Sequence, residues 1–264
     1  MGIDFFAKAE SPNQISCLDS VFRMRSLMAR VVLIRHGDDP DDDRVVTYFR
    51  SRGLEPEIRK PFKGEALGEV DGSVIGSVVY GGPFNVFEEE KHPFLYDENR
   101  WIEQCIRRDV PLLGICQGGQ SIAHVLGAPV GPKPSEPHEF GYYEIKPTEK
   151  GRSYFPETLT VAQAHFHEFQ IPHGADNLAS SEIFRQQAFK YGNQTFGFQF
   201  HAEVTPRCFR RWQDNDWAAY GKPGAQTRAE QDVLMARHDH RQHVWFMGFL
   251  DKLFGKAVKE AVGT

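Results

Sequence analysis

The segment from Pro111 to Leu126 joins an apolar strand to a helix through a single cysteine, and this junction is the strongest constraint on the fold. Cys116 stands at the break, with Gly114 two residues before it and Gly118 two residues after it. Small neighbours let the chain pass beneath a side chain that a strained backbone holds away from the sheet. The start of the following helix favours the thiolate form. The segment therefore predicts a cysteine nucleophile at the carboxyl end of a core strand.

A second segment supplies a base for this cysteine. Residues 195–200 alternate aromatic with small or polar residues, which is typical of a strand, and His201 and Glu203 follow. On extended backbone both side chains project from the same face, so the carboxylate can orient the imidazole as the third member of a triad does. A lone buried cysteine is usually inert packing, and a lone histidine is usually a satisfied polar residue. Together with the glycines around Cys116, however, the two segments favour catalysis.

These residues resemble the class I, triad-type glutamine amidotransferase family. The resemblance rests on the following segments: Gly114-x-Cys116-x-Gly118-x-Gln120, the later His201-x-Glu203, Gly81-Gly82-Pro83 after an apolar run, and the histidine-containing stretch Ala164–Phe169. It runs from about residue 30 to about residue 206 and is strongest to the stand-alone, GMP synthase-like members. Two positions depart from the family pattern. Gln117 stands where many relatives carry an apolar or aromatic residue, and Ala202 stands where proline is usual.

The resemblance implies a thiol-based hydrolysis of the glutamine side-chain amide. Cys116 is expected to attack the amide carbon, which forms a γ-glutamyl thioester and releases ammonia. His201 is expected to move the protons and Glu203 to hold its ring. By the same resemblance, the backbone N–H groups of Gly82 and Gln117 form the oxyanion hole.

Three further residues are expected to bind the substrate. Gln120 lies on the first turn of the helix after Cys116, and the family analogy assigns it to substrate glutamine. His165 and His167 alternate on a predicted strand, so both can face the site. A surface or supporting pair is an equally good interpretation of these two histidines.

Strands and helices alternate along most of the chain. We expect strands at Val31–Ile34, Glu57–Arg59, Ser73–Tyr80 and Leu112–Ile115, and helices at Arg44–Gly53 and Phe94–Arg108. This order predicts a doubly wound α/β fold of the flavodoxin-like type, with a mostly parallel sheet and helices on both faces. Residues 128–170 are expected to form a small antiparallel extension, with strands at 139–145 and 158–164.

The domain organisation is expected to be simple. Residues 1–28 are expected to be an N-terminal extension without a catalytic role. A segment that mediates interaction or oligomerisation is the less favoured alternative. Residues 29–254 are expected to form one amidotransferase-like domain that ends in a long helical stretch, Gln226–Phe254, and residues 255–264 a tail.

Composition excludes several classes of function. The net charge of −5 leaves no basic surface for nucleic acid. The four cysteines include no CxxC pair, so they indicate neither a disulfide framework nor a zinc site. His238, His240 and His243 lie on a predicted helix, and a metal site formed by them is a minor alternative. We therefore expect no metal and no cofactor. No stretch approaches the about 18 apolar residues of a membrane span, and we expect a cytoplasmic protein.

The fate of the ammonia stays open at this level. No P-loop of a nucleotide-binding synthetase is present. The chain is expected either to supply ammonia to a separate acceptor enzyme or synthetase, or to act alone as a hydrolase of γ-glutamyl peptides or amines. A non-catalytic binding module on the same fold is a third hypothesis, and a homodimer is compatible with all three.

Overall fold

The structure, a computed structural model, describes residues 29–263. The predicted extension, residues 1–28, lies outside these residues. The strands are β1 (Arg30–Ile34), β2 (Glu57–Arg59), β3 (Val74–Val79), β4 (Leu112–Ile115), β5 (Val130–Pro132), β6 (Glu139–Pro147), β7 (Leu159–His165), β8 (His167–Phe169), β9 (Asp176–Ser180), β10 (Ala188–Tyr191) and β11 (Thr195–Phe198). The helices are α1 (Arg44–Arg50), α2 (Phe94–Arg107), α3 (Gln117–Val125), α4 (Pro206–Gln213) and α5 (Arg228–Val262), with short 3-10 turns at Pro61–Lys63 and Lys150–Ser153.

Five strands form the parallel part of a nine-stranded sheet, in the order β2-β1-β3-β4-β11. Residues of β1 alternate between the two faces. Val31 and Leu33 pack in a core that includes residues of α1 and α5, whereas Val32 and Ile34 pack in a second core with residues of α2 and α3. Apolar side chains on both faces of a strand require helices on both sides of the sheet. The predicted doubly wound fold is confirmed.

The antiparallel part is larger than the predicted small extension. Strands β10, β9, β6 and β7 continue the same sheet beyond β11, and the sequence interpretation missed β9 and β10. Strands β5 and β8 form a separate two-stranded sheet. His165 ends β7 and His167 begins β8, so the prediction that both histidines share one strand was wrong. The chain bends at Phe166 between them, which sends the two side chains into different surroundings.

Helix α5 continues past the predicted end at Phe254. It begins with a capping box between Thr227 and Glu230 and ends at Gly263, whose φ of 75° suits glycine. Val258 belongs to the core that α5 shares with the sheet, so residues 255–262 are part of the helix. Within residues 29–263, no helix has both the length and the apolar composition needed to cross a membrane.

The fold brings four loops to one edge of the sheet. Strands β1, β3, β4 and β11 are parallel neighbours, and their carboxyl ends lead to His36, Gly81, Cys116 and His201. Ligands of open α/β sheets bind at this edge. The topology therefore places the predicted catalytic residues close together although they are far apart in the sequence.

Candidate active site

Cys116 occupies a strained turn between β4 and α3. Its φ of 51° and ψ of −110° lie in a region that non-glycine residues rarely adopt, at a typical cost of about 1–3 kcal/mol. A side chain at Gly114 would collide with the backbone of Gly118, and one at Gly118 would collide with the Val79 carbonyl group. The chain therefore requires glycine at both positions in order to make this turn.

His201 and Glu203 form a buried pair beside this turn. The Nδ1 atom of His201 donates a hydrogen bond of 2.7 Å to Glu203 Oε1. Burial lowers the pKa of His201, but the charges of Glu203 and Cys116 outweigh it and raise the pKa to about 10. The indole of Trp212 packs edge-on against the imidazole at a centroid distance of 4.8 Å. The arrangement favours the imidazolium form of His201 at neutral pH.

The side chains of Cys116 and His201 converge over Gly81. A β-carbon at Gly81 would lie 2.8 Å from His201 Cε1 and 3.3 Å from Cys116 Cβ. A separation of 2.8 Å is shorter than real β-carbons tolerate, so a larger residue would push the imidazole aside. Glycine at position 81 therefore keeps the two side chains within reach of each other.

The loop that carries Gly82 is held from two sides. His36 donates from Nδ1 to the Gly81 carbonyl at 3.3 Å, and its Nε2 contacts the fully buried Glu98 at 2.9 Å. On the other side, Gln117 Oε1 accepts a hydrogen bond of 2.9 Å from the Phe84 N–H. A rigid loop of this kind suits an oxyanion hole. The assignment of the N–H groups of Gly82 and Gln117 to that role stays a prediction.

Gln120 reaches the cysteine through another glutamine. Its Nε2 donates to Gln199 Oε1 at 3.2 Å, and Gln199 Nε2 in turn lies 3.7 Å from Cys116 Sγ. The sequence interpretation missed Gln199, although period-two alternation places it on the same face as His201. Substrate binding by Gln120 stays a prediction, and the structure links Gln120 to Cys116 only indirectly, through Gln199.

His165 and His167, both expected to bind the substrate, lie in different surroundings. His165 lines the cavity, but its Nδ1 bonds to the His167 carbonyl at 2.9 Å and its Nε2 to the buried Glu139 at 3.0 Å. Both ring nitrogens of His165 are therefore engaged with the protein. His167 is half-buried, does not line the cavity, and lies against the Phe87 ring; burial lowers its pKa. The structure brings only His165 to the cavity wall.

Helix α1 fixes the turn that carries Glu203. The Arg44 N–H donates to the Glu203 carbonyl at 2.8 Å, and the Arg44 guanidinium donates to the Ala202 carbonyl at 3.0 Å. The same guanidinium pairs with Asp239 of α5 at 2.7 Å. These contacts hold the turn in place although Ala202 stands where relatives usually carry proline.

The residues predicted to be catalytic line one cavity of about 710 Å³. Its wall includes Cys116, His201, Glu203 and Gly82, and also aromatic residues from α4 and the loop after it. Within residues 29–263, no group of three or more His, Cys, Asp or Glu side chains is arranged to hold a metal ion. The chemistry that this site offers is that of a thiol, an imidazole and a carboxylate.

Comparison with known proteins agrees with this geometry. A family model described as "Glutamine amidotransferase class-I" matches residues 42–213. The chain is 34% identical over 145 residues to the glutamine-hydrolysing GMP synthase of Cytophaga hutchinsonii, covering 52% of this chain and 26% of that protein. It is 30% identical over 184 residues to the glutamine amidotransferase-like protein YfeJ of Salmonella typhimurium, covering 67% of this chain and 76% of that protein. The chain thus spans about a quarter of the GMP synthase and about three quarters of YfeJ.

Solved structures give the same result. A glutamine amidotransferase from Thermotoga maritima superposes with a TM-score of 0.72 at 29% identity, covering 86% of this chain and 98% of that one. A glutamine amidotransferase from Methylobacillus flagellatus, at 18% identity, shares the fold with a TM-score of 0.77 and covers 88% of this chain and 95% of that one. The family match extends over well more than half of the chain and contains Cys116, His201 and Glu203. The chain therefore belongs to the class I glutamine amidotransferase family and is an enzyme of that class.

Proposed function

We propose that Cys116 is the nucleophile that removes the side-chain amide nitrogen of glutamine, with His201 and Glu203 as its acid–base pair. The observation that carries this proposal is the convergence of the strained Cys116 and the His201–Glu203 pair over Gly81. Two thiols elsewhere in the described chain lack this setting. Burial raises the pKa of Cys105 to about 12 and also raises that of Cys208.

The reaction follows from these positions. The thiolate of Cys116 adds to the γ-carbonyl carbon, and N–H groups of Gly82 and Gln117 stabilise the oxyanion. The C–N bond then breaks, and the proton of the His201 imidazolium goes to the departing ammonia. A water molecule gives a proton to the now neutral His201 and attacks the thioester, which yields glutamate and free Cys116. The net reaction consumes one amide and one water.

The ammonia is proposed to pass to a separate acceptor. The GMP synthase of Cytophaga hutchinsonii hydrolyses glutamine by its name, and the present chain matches only about a quarter of that protein. We infer that a synthetase consumes this ammonia. A self-contained γ-glutamyl hydrolase is the second candidate, because the cavity is larger than glutamine requires.

The test is release of ammonia and glutamate from glutamine by the purified full chain. Cys116→Ala is expected to abolish release. The matched control is Cys208→Ala, which removes another buried thiol that lines the same cavity and is expected to keep the activity. Equal loss in both variants, or release that survives Cys116→Ala, contradicts the assignment of the nucleophile.

A further inference from the structure

The catalytic cavity has room for more than glutamine. Glutamine has about ten non-hydrogen atoms, and each fills no more than a water molecule's share of about 30 Å³, so glutamine needs at most about 300 Å³. The cavity measures about 710 Å³. More than half of the space therefore remains beside a bound γ-glutamyl group, provided that the proposed function holds.

Part of the cavity wall comes from the loop between α4 and α5, residues 214–227. This loop follows the part of the chain that the family model matches, residues 42–213. Its cavity-lining residues are Asp216, Trp217, Ala218, Ala219 and Lys222. The space that glutamine leaves empty is thus bounded in part by a segment outside the family match.

The loop is fastened to β6 and the residue before it. The His138 N–H donates to the Pro223 carbonyl at 2.8 Å, and the Tyr143 hydroxyl donates to the Gly224 carbonyl at 2.6 Å. The Gln226 N–H donates to the Phe140 carbonyl at 3.1 Å. A wall held in this way is formed before a ligand arrives, which lowers the entropy cost of binding.

Aromatic rings with exposed faces line this space. Trp217 is 52% exposed and contacts the rings of Trp212 and Phe140 at centroid distances of 5.9 and 6.0 Å. Phe166, from the bend between β7 and β8, is 43% exposed and stacks on His138 at 5.0 Å. Large apolar faces left open to a cavity favour an apolar ligand, and ring faces in particular favour another ring.

The aromatic wall is continuous with the catalytic base. Trp212 contacts both Trp217 and the imidazole of His201. A group bound against Trp217 is therefore separated from the His201 imidazole only by the ring of Trp212. The same wall carries one charge of each sign, Asp216 and Lys222, so the rings rather than a net charge select the ligand.

We propose that this part of the cavity binds the leaving amine of a γ-glutamyl conjugate that carries an aromatic ring, such as γ-glutamyl-phenylalanine. Cys116 attacks the γ-carbonyl carbon, the C–N bond to the ring-bearing amine breaks, and His201 protonates the departing nitrogen. Water then hydrolyses the thioester, and the products are glutamate and the free ring-bearing amine, which is phenylalanine for γ-glutamyl-phenylalanine.

The experiment compares glutamate release by the full chain from γ-glutamyl-phenylalanine, γ-glutamyl-alanine and glutamine. The two dipeptides differ only in the phenyl group. We expect kcat/KM for γ-glutamyl-phenylalanine to exceed that for γ-glutamyl-alanine by about tenfold, because contacts between the phenyl group and the aromatic side chains of the cavity stabilise binding by about that factor. In Trp217→Ala this ratio is expected to fall towards one. The matched control is Tyr96→Ala, which removes an aromatic residue of similar exposure on α2, outside the cavity, and should keep the wild-type ratio.

The possible results separate this inference from the proposed function. Turnover of glutamine with equal turnover of the two dipeptides, or with none of either, overturns the aromatic subsite and leaves Cys116 as the nucleophile. Absence of turnover with all three substrates overturns the proposed function itself. Phe166→Ala, on a different element, provides a second variant in case Trp217→Ala does not fold. An unchanged ratio in whichever variant folds contradicts the subsite.

Discussion

Three buried histidines line the same cavity, and each is paired with a glutamate, yet only His201 has a nitrogen left for chemistry. His201 uses Nδ1 to bind Glu203 and lies beside Cys116 over Gly81. His165 uses one nitrogen for Glu139 and the other for the His167 carbonyl. His201 and His165 are alike in burial and in having a carboxylate partner. They differ in whether the second ring nitrogen is bound to the protein.

The surroundings of the two glutamates differ in the same way. Glu139 also accepts hydrogen bonds from Ser181 at 2.6 Å and Gln187 at 2.7 Å, so it is the centre of a closed polar network. The second carboxylate oxygen of Glu203 has no hydrogen-bond partner among the described residues. A fully satisfied network rigidifies the fold, whereas a proton transfer needs a ring nitrogen that is free, which His201 has and His165 lacks. We infer that the His165 pair is structural and the His201 pair is catalytic.

Replacing each histidine by asparagine is the strongest test of this distinction. His201→Asn is expected to lower kcat/KM by about 10²–10⁴, because the proton shuttle is lost. His165→Asn is expected to lower the free energy of unfolding by about 1–3 kcal/mol, because the buried Glu139 loses one of its hydrogen-bond partners. Glutamine turnover and urea denaturation measure the two effects. Loss of turnover in a stable, folded His165→Asn protein would break the distinction.

Replacing Glu203 and Glu139 by glutamine is expected to give the next largest effects on turnover and stability. Glu203→Gln is expected to lower kcat by about 100-fold or more, since the amide no longer stabilises the imidazolium. Glu139→Gln is expected to cost about 1–3 kcal/mol of unfolding free energy, because one partner of its network loses its acceptor. Steady-state kinetics and denaturation on both proteins check this. A larger kinetic effect of Glu139→Gln than of Glu203→Gln would reverse our assignment.

The third buried pair, His36–Glu98, sharpens the comparison because it supports the Gly81–Gly82 loop. Glu98→Gln is expected to lower kcat about tenfold and to leave KM nearly unchanged, since a loosened oxyanion loop affects the transition state more than binding. Glu103→Gln, an exposed carboxylate on the same helix, is the matched control. A rise in KM at constant kcat would instead assign His36 and Glu98 to substrate binding.

The last prediction concerns the pH dependence of stability. The pKa of His201 is raised from 6.5 to about 10, so its protonated form stabilises the folded state fully below about pH 6.5. That contribution decreases as the pH rises towards 10. The difference in unfolding free energy between wild type and His201→Asn should therefore shrink between about pH 6.5 and about pH 10. The exposed His240→Asn is the control and should show no such trend; a constant difference for His201→Asn would contradict the raised pKa.

The parts of the site that are local in sequence could be predicted from it. The turn at Cys116 depends on Gly114 and Gly118, which are two residues away, and the His201–Glu203 pair depends on a two-residue spacing along extended chain. Steric and geometric rules act directly at such distances. The doubly wound half of the fold followed from the order of apolar strands for the same reason.

The role of His165 could not be predicted, because it depends on pairing between distant segments. Glu139 meets His165 only through the antiparallel register of β6 and β7. Strands β9 and β10 were likewise missed, because they are short and are defined by their partners rather than by a clear apolar alternation. Arg44, which fixes the Ala202 turn, acts across more than half of the chain.

The most direct test of the central claim is to capture the covalent intermediate on Cys116. The full chain would be mixed with glutamine, quenched in acid, and analysed by intact-protein and peptide mass spectrometry. The account predicts a γ-glutamyl adduct on the peptide that contains Cys116, absent in Cys116→Ala and accumulating in His201→Asn if thioester hydrolysis slows more than attack. An adduct on Cys105 or Cys208, or glutamine turnover without any adduct on Cys116 under single-turnover conditions, would contradict it.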